Sequence, residues 1–214
     1  MKLAFLFAVA AALLAPAPSD GLAPVYKSSI AVIDPATRAA MVGSSWHAGC
    51  PVPIRDLRLL TLDHWGFDGS VHPGRMIVHR DQAVRVRAVF RKLFYSHFPM
   101  RRMQLIDVYG GDDHRSMAAN NTSAFNCRFV SGTSRWSMHA YGRAVDVNPV
   151  QNPWVSGSEV SPRAGRLYAD RSRQAKGMIH AGDAVVRAFA SVGWKWGGYW
   201  TGGKDYQHFS SNGR

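Results

Sequence analysis

Two short polar segments, SMHAYGRAVDVNP at 137–149 and DYQHFS at 205–210, lie some sixty residues apart in this chain. A fold that uses both must return the chain over that distance and set the two side by side. His139 and Asp146 in the first segment and His208 in the second then offer two imidazoles and one carboxylate. Asp205 adds a fourth polar group. Three ligands for a metal and one base for a water bound to it are the minimum for metal-assisted hydrolysis, and Zn²⁺ is the ion such a set suits.

Local structure can be read around those residues. Gly142 permits a turn after His139, and Ala144 to Val147 continues as a strand. Its period of two sets Ala144, Asp146 and Asn148 on one face, with Val145 and Val147 pointing into the core. His208 falls in a second short strand, Gln207-His208-Phe209. Two imidazoles and a carboxylate leave a fourth metal position for water. Asp205, three residues before His208, sits beside that water if Tyr206-Gln207 turns tightly, and there it can take and pass on a proton. A separate cation is needed for a polarised carbonyl oxygen or a substrate carboxylate, and an Arg fork suits either. Arg128 is the first choice, with Arg115 and Arg135 as rivals. Trp194, Trp196, Tyr199 and Trp200 either wall a substrate cleft or belong to the core.

Other chemistry is less well supported. His47, His64, His72, His79, His97 and His180 are read as structural. Asp112-Asp113-His114 reads as a solvated turn or as support for Arg115 or a ligand His. Neither Ser116 nor Ser137 lies in a G-x-S-x-G elbow, which argues against a serine hydrolase.

A chain of 214 residues can bury a substantial core, so one domain is expected after any export signal. The balance of 26 Lys and Arg against 14 Asp and Glu gives a net charge of +12, which calls for an anionic partner or surface. The arginines are scattered, with Arg101-Arg102 the only adjacent pair, and no nucleic-acid signature accompanies them. A polyanionic cell envelope fits better than nucleic acid.

Residues 1–17 read as a signal peptide: Lys2 precedes a 13-residue apolar run that Ala15-Pro16-Ala17 closes. Pro18 disfavours cleavage at that point, and an uncleaved anchor stays open. Cys50 and Cys127 are expected to pair in an oxidising compartment, closing a loop that contributes about 3–4 kcal/mol on the chain-entropy argument.

Residues 18–45, rich in Pro, Ala and Ser, read as a loosely attached lead-in to a domain over 46–214. Helices are expected over 80–98, from a stripe through Val86, Val89, Phe90 and Leu93, and over 181–192 near a cap at Asp183. Strands are expected at 104–109 and 123–130. Helices among short strands, without a repeated βαβ unit, predict an α+β domain.

SMHAYGRAVD resembles the S-x-H-x-x-G-x-A-x-D pattern of the bacterial zinc D-alanyl-D-alanine carboxypeptidase and L-alanyl-D-glutamate endopeptidase family, and DYQHF resembles its second element. The likeness runs from about Trp46 to Phe209 and takes in GGDDHRSMAANNTSAFNCR, NPW and GWKWGGYW. It implies Zn²⁺ on His139, Asp146 and His208, Asp205 as base, peptidoglycan stem peptides as substrate, and the small hedgehog/DD-peptidase fold with a central antiparallel sheet flanked by helices. Family members place their substrate Arg in a Y-R context, whereas here Cys127 precedes Arg128, so that role rests on position. Ser137, Arg115, Trp196 and Tyr199 are further substrate-binding candidates. The expectation is therefore a secreted or envelope-bound monomer that hydrolyses stem peptides, as a carboxypeptidase or as an endopeptidase. A non-catalytic wall-binding protein on the same fold, or a zinc amide hydrolase with another substrate, are the alternatives.

Overall fold

Asp34 starts the first helix of the structure, a computed structural model that describes residues 23–214. The expected signal segment lies outside the described residues. Strand β1 (Ser28–Val32) precedes helix α1 (Pro35–Met41). The Asp34 carboxylate accepts hydrogen bonds from the Thr37 N–H at 2.8 Å and the Thr37 hydroxyl at 2.6 Å, and Pro35 fits the first turn because no N–H is needed there. Of the lead-in expected over 18–45, the described residues 23–45 contain this strand and helix. Strand β1 is mostly exposed and is held by ladder hydrogen bonds, which composition does not display, while Met41 is fully buried.

Strands β2 (Leu57–Trp65) and β3 (Val71–His79) pair antiparallel with Leu57 opposite His79 and Trp65 opposite Val71; β1 adds to the other edge of β2. Both faces of this sheet are covered. Leu60, Leu62, Met76 and Val78 meet Val86, Val89, Phe90 and Leu93 of helix α2 (Ala83–Tyr95). On the opposite face Leu57, Leu59 and Ile77 pack with Met41, Val52, Ile54, Leu105 and Phe125. Alternation therefore fails in β2 because consecutive apolar residues feed two cores. The expected Cys50–Cys127 bridge is present, with sulfurs 2.01 Å apart, and it ties residue 50 to the second core.

Helix α3 (Asp113–Ala118) is capped by Asp112, whose carboxylate accepts from the Arg115 N–H at 3.0 Å. The strand expected at 104–109 is instead a 3₁₀ turn, Ile106–Tyr109, closed by Gly110 at φ +68°. Its β-branched residues imitate a strand, but no neighbouring strand offers a ladder there. Residues 123–130 are extended yet make only isolated bridges, Ser123 to Asp146 and Phe129 to Trp136, rather than a continuous strand.

The remaining elements are short: β4 (Ala144–Asp146), β5 (Trp154–Ser156), β6 (Glu159–Ser161), helix α4 (Ala184–Ala190), β7 (Lys195–Trp196), β8 (Lys204–Asp205) and β9 (His208–Ser210). They form two antiparallel sheets, β4-β9-β7 and β6-β5-β8. Asp183 caps α4 by accepting from the Val185 and Val186 N–H groups, and Phe189 stacks on Phe209 at 4.0 Å. The class is α+β, with the antiparallel pairing spread over three small sheets among the described residues. None of the described helices is long and apolar enough to cross a membrane.

Candidate metal centre

The centre begins with a register. Strands β4 and β9 pair so that Asp146 stands opposite His208, while Val145 and Phe209 next to them are fully buried in the core. His139 arrives on a 3₁₀ turn, Met138–Tyr141, whose start Ser137 caps by accepting the His139 N–H at 3.3 Å. Gly142 ends that turn at φ +62°, and a Cβ there would lie 2.5 Å from the His79 backbone nitrogen. Only glycine allows this approach, and the Gly142 carbonyl uses it to accept the His79 N–H at 2.8 Å. The ligand turn is thereby fastened to β3.

His139 Nε2 lies 3.1 Å from Asp146 Oδ2, His208 Nδ1 lies 3.0 Å from Asp146 Oδ1, and the two ring nitrogens are 3.3 Å apart. All three residues are buried. Their distal ring nitrogens are already assigned: His139 Nδ1 is 2.5 Å from the Ala124 carbonyl and His208 Nε2 is 3.1 Å from the Arg214 main-chain oxygen. Each distal nitrogen must carry a hydrogen to bond an oxygen, so the neutral rings turn lone pairs toward the carboxylate and toward each other. Three acceptors converging in a buried space call for a cation. Metal–ligand bonds of about 2.0–2.1 Å in a tetrahedron set ligand atoms roughly 3.3 Å apart, so this donor set fits zinc.

Imidazolium N–H groups in place of those lone pairs would stabilise the carboxylate. Burial works against an ionised Asp146, but the His139 and His208 imidazoles outweigh it and hold the carboxyl well below its ordinary range. Burial likewise opposes a charged His208, and the hydrogen bond and charge of Asp146 overcome it, raising the imidazole.

Asp205 stands on β8, in the β6-β5-β8 sheet, opposite Trp154. The residue is partly exposed, yet its Oδ1 is shielded and has no hydrogen-bond partner among the described residues. Burial first, and the Asp146 charge second, push its carboxyl up to about 7. A divalent cation alongside would act in the opposite direction. Trp196 donates its indole N–H to the Tyr206 carbonyl at 2.8 Å, fixing the link between Asp205 and His208. Gly197 leaves room for that link, since a Cβ there would meet the Asp205 carbonyl oxygen at 2.5 Å.

The other expected residues have different surroundings. Arg128 pairs with Asp113 at 2.8 Å, its Nε is shielded without a partner among the described residues, and its carbonyl accepts the Ser137 N–H at 3.1 Å. It therefore flanks the ligand turn. Arg115 is exposed and reaches only Asp112, at 3.4 Å. Ser137 spends its hydroxyl on capping. Trp196, read either as a cleft wall or as core, is 4% exposed, and its ring packs against Phe209 and Tyr206. Tyr199 is on the surface, 57% exposed, with its hydroxyl accepting the Gly182 N–H. Among the described residues one other group has metal-ligand spacing, His47 with Cys50 and Cys127, and the disulfide occupies both sulfurs.

Residues 131–211 match the model of a family described as D-alanyl-D-alanine carboxypeptidase. That stretch contains His139, Asp146, Asp205 and His208, so the match covers the whole candidate centre and supports the resemblance read from the two motifs. It points to a peptidase, and to one with a His-Asp-His cluster able to hold a metal. No curated protein and no solved structure matches the chain.

Sequence reasoning missed the polar framework behind this candidate centre. Asn152 is fully buried; its amide donates to the Val147 and Gly177 carbonyls, and its oxygen accepts the Ile179 N–H at 2.8 Å. Asn148, also fully buried, accepts the Arg101 N–H and donates to the Pro99 carbonyl. The available signal was asparagine recurring at 120, 121, 126, 148 and 152, close to the ligands in sequence.

Proposed function

We propose that the protein is a zinc peptidase, exported to the cell envelope as a monomer, that hydrolyses peptide bonds in peptidoglycan stem peptides. The observation that carries this reading is the convergence of His139 Nε2, His208 Nδ1 and the Asp146 carboxylate, within 3.0–3.3 Å of one another, inside the segment that matches the carboxypeptidase family. The net charge of +12 supports an anionic wall surface as the working environment, and the scattered arginines favour it over nucleic acid. The apolar N-terminal run and the Cys50–Cys127 bridge support export.

Held by His139, Asp146 and His208, zinc supplies a Lewis acid and a bound water of lowered pKa. The chain supplies the rest. Asp205 presents an unpaired carboxylate oxygen able to take a proton from the attacking water and return it to the leaving amine. Asp146 stays ionised beside it, so two neighbouring carboxylates hold different roles. Arg128, steadied by Asp113, offers a guanidinium for a substrate carboxylate or the developing oxyanion.

Digestion of purified peptidoglycan and of defined muropeptides, read by mass spectrometry, tests the reading and names the bond. The zinc-loaded protein is expected to release shortened stem peptides, and a chelator to stop it. Intact muropeptides after prolonged incubation with the zinc-loaded protein would overturn the substrate class.

A further inference from the structure

The two candidate histidine ligands are oriented by unlike means. His139 donates from Nδ1 to the Ala124 carbonyl, which belongs to a buried extended segment bridged to β4. His208 Nε2 instead faces the main-chain oxygen of Arg214, which lies on a loop beyond β9. That loop is built. Trp200 donates its indole N–H to the Gly213 carbonyl at 2.8 Å, Gly213 N–H reaches the Ser210 hydroxyl at 3.1 Å, and Arg214 N–H reaches Asn212 Oδ1 at 3.0 Å. Gly213 sits at φ +82°, and a Cβ there would lie 2.8 Å from the Lys195 side chain, so only glycine fits the bend easily. The Trp200 ring also packs 5.6 Å from the His208 ring.

We propose that Trp200 and residues 212–214 form a positioning clamp for His208: the indole fixes the loop, and the Arg214 main-chain oxygen holds the Nε2 hydrogen so that Nδ1 keeps its lone pair toward the metal position. The inference rests on the reading of His139, Asp146 and His208 as metal ligands. Orienting hydrogen bonds of this kind set both the tautomer and the rotation of a ligand ring. The clamp acts through a backbone oxygen, so the Arg214 side chain is dispensable to it, whereas the loop and the Trp200 N–H are not.

The test measures zinc affinity by competition with a chromophoric chelator, the visible spectrum of the Co²⁺-loaded protein, and thermal unfolding of the metal-free protein. Wild type is expected to bind one zinc. Deleting residues 212–214, which leaves Ser211 N–H on the Arg143 carbonyl, should weaken zinc binding roughly 10–100-fold and shift the Co²⁺ bands. Trp200→Phe, which keeps a ring but removes the N–H, should weaken binding in the same direction by a smaller factor, with unfolding of the metal-free protein little changed. Arg214→Ala should bind zinc as wild type does. Wild-type affinity in both the deletion and Trp200→Phe overturns the clamp, as does loss of affinity in Arg214→Ala equal to that of the deletion. If the deletion does not fold, Trp200→Phe alone decides. A wild-type protein that binds no zinc overturns the functional reading instead, and the two failures are thereby distinct.

Discussion

The β1-β2-β3 sheet with α2 and the region around β4, β8 and β9 are built on different principles. The first has two nine-residue strands, a 13-residue helix and apolar residues on both sheet faces. The second has strands of two or three residues, and its positions are fixed by turns, caps and buried amides such as Asn148 and Asn152. Apolar burial is non-directional and roughly proportional to the area removed from water, which suits a scaffold. Directional hydrogen bonds fix angles, which a metal centre needs, but they add little net stability. The long-stranded region therefore carries most of the stability and the polar contacts carry the geometry, and the two meet in one core, which holds Val145, Val147 and Phe209 together with Val86 and Phe90, and where the Gly142 carbonyl accepts the His79 N–H of β3.

That division can be broken most sharply at Asp205. Asp205→Asn is expected to keep fold and zinc while muropeptide hydrolysis falls roughly 10²–10⁴-fold from the loss of proton transfer. Wild-type turnover in a zinc-loaded Asp205→Asn protein would remove Asp205 from the mechanism. On the scaffold side, Phe90→Ala empties a fully buried position in the first core and should cost about 3–5 kcal/mol in denaturant unfolding, with zinc affinity of the folded fraction unchanged. Coupled loss of affinity would show that the regions are not separable. Asn152→Ala should fall between them. It strands the Ile179 N–H and removes the donor to the Val147 carbonyl, while the Gly177 carbonyl keeps the Asn148 amide; the cost should be about 1–3 kcal/mol, and because Val147 adjoins Asp146 it should also weaken zinc binding.

A further expected effect is a dependence on pH. Without metal, the Asp205 carboxyl is pushed up to about 7 in the folded protein and returns to its ordinary range when unfolded. Between those values the folded state binds the extra proton, so this contribution to stability is present at low pH and is lost as pH rises toward and through about 7. Urea midpoints of the chelator-treated protein should fall more steeply over pH 5 to 7.5 in wild type than in Asp205→Asn. Equal slopes would show that Asp205 is already ionised in the metal-free fold.

How much was legible beforehand depended on range. The helices around Val86 to Phe94 and Val185 to Phe189 are written in a 3.6-residue period, and the Asp183 cap is a local signal. The ligand residues were legible because a histidine and an aspartate in fixed spacing around Gly142, answered by D-x-x-H, leave few other uses. No strand was read at 28–32 and one was read at 104–109, for one reason: a strand exists only if another strand is there to pair with it. β1 found β2, and Ile106 to Tyr109 found none.

The sequence by itself determined the chemistry on offer: two imidazoles, two carboxylates, two cysteines able to pair, and helical segments with one apolar face. Only the tertiary structure decided the register that sets Asp146 opposite His208, the core burial of Trp196, the Asp113 partner of Arg128 and the Arg214 oxygen behind His208. The physical reason is that side-chain identity and short-range period are local properties. Which acceptor a ring nitrogen meets is settled by packing across sixty residues of chain, where backbone oxygens contribute as much as side chains and leave no mark on the sequence.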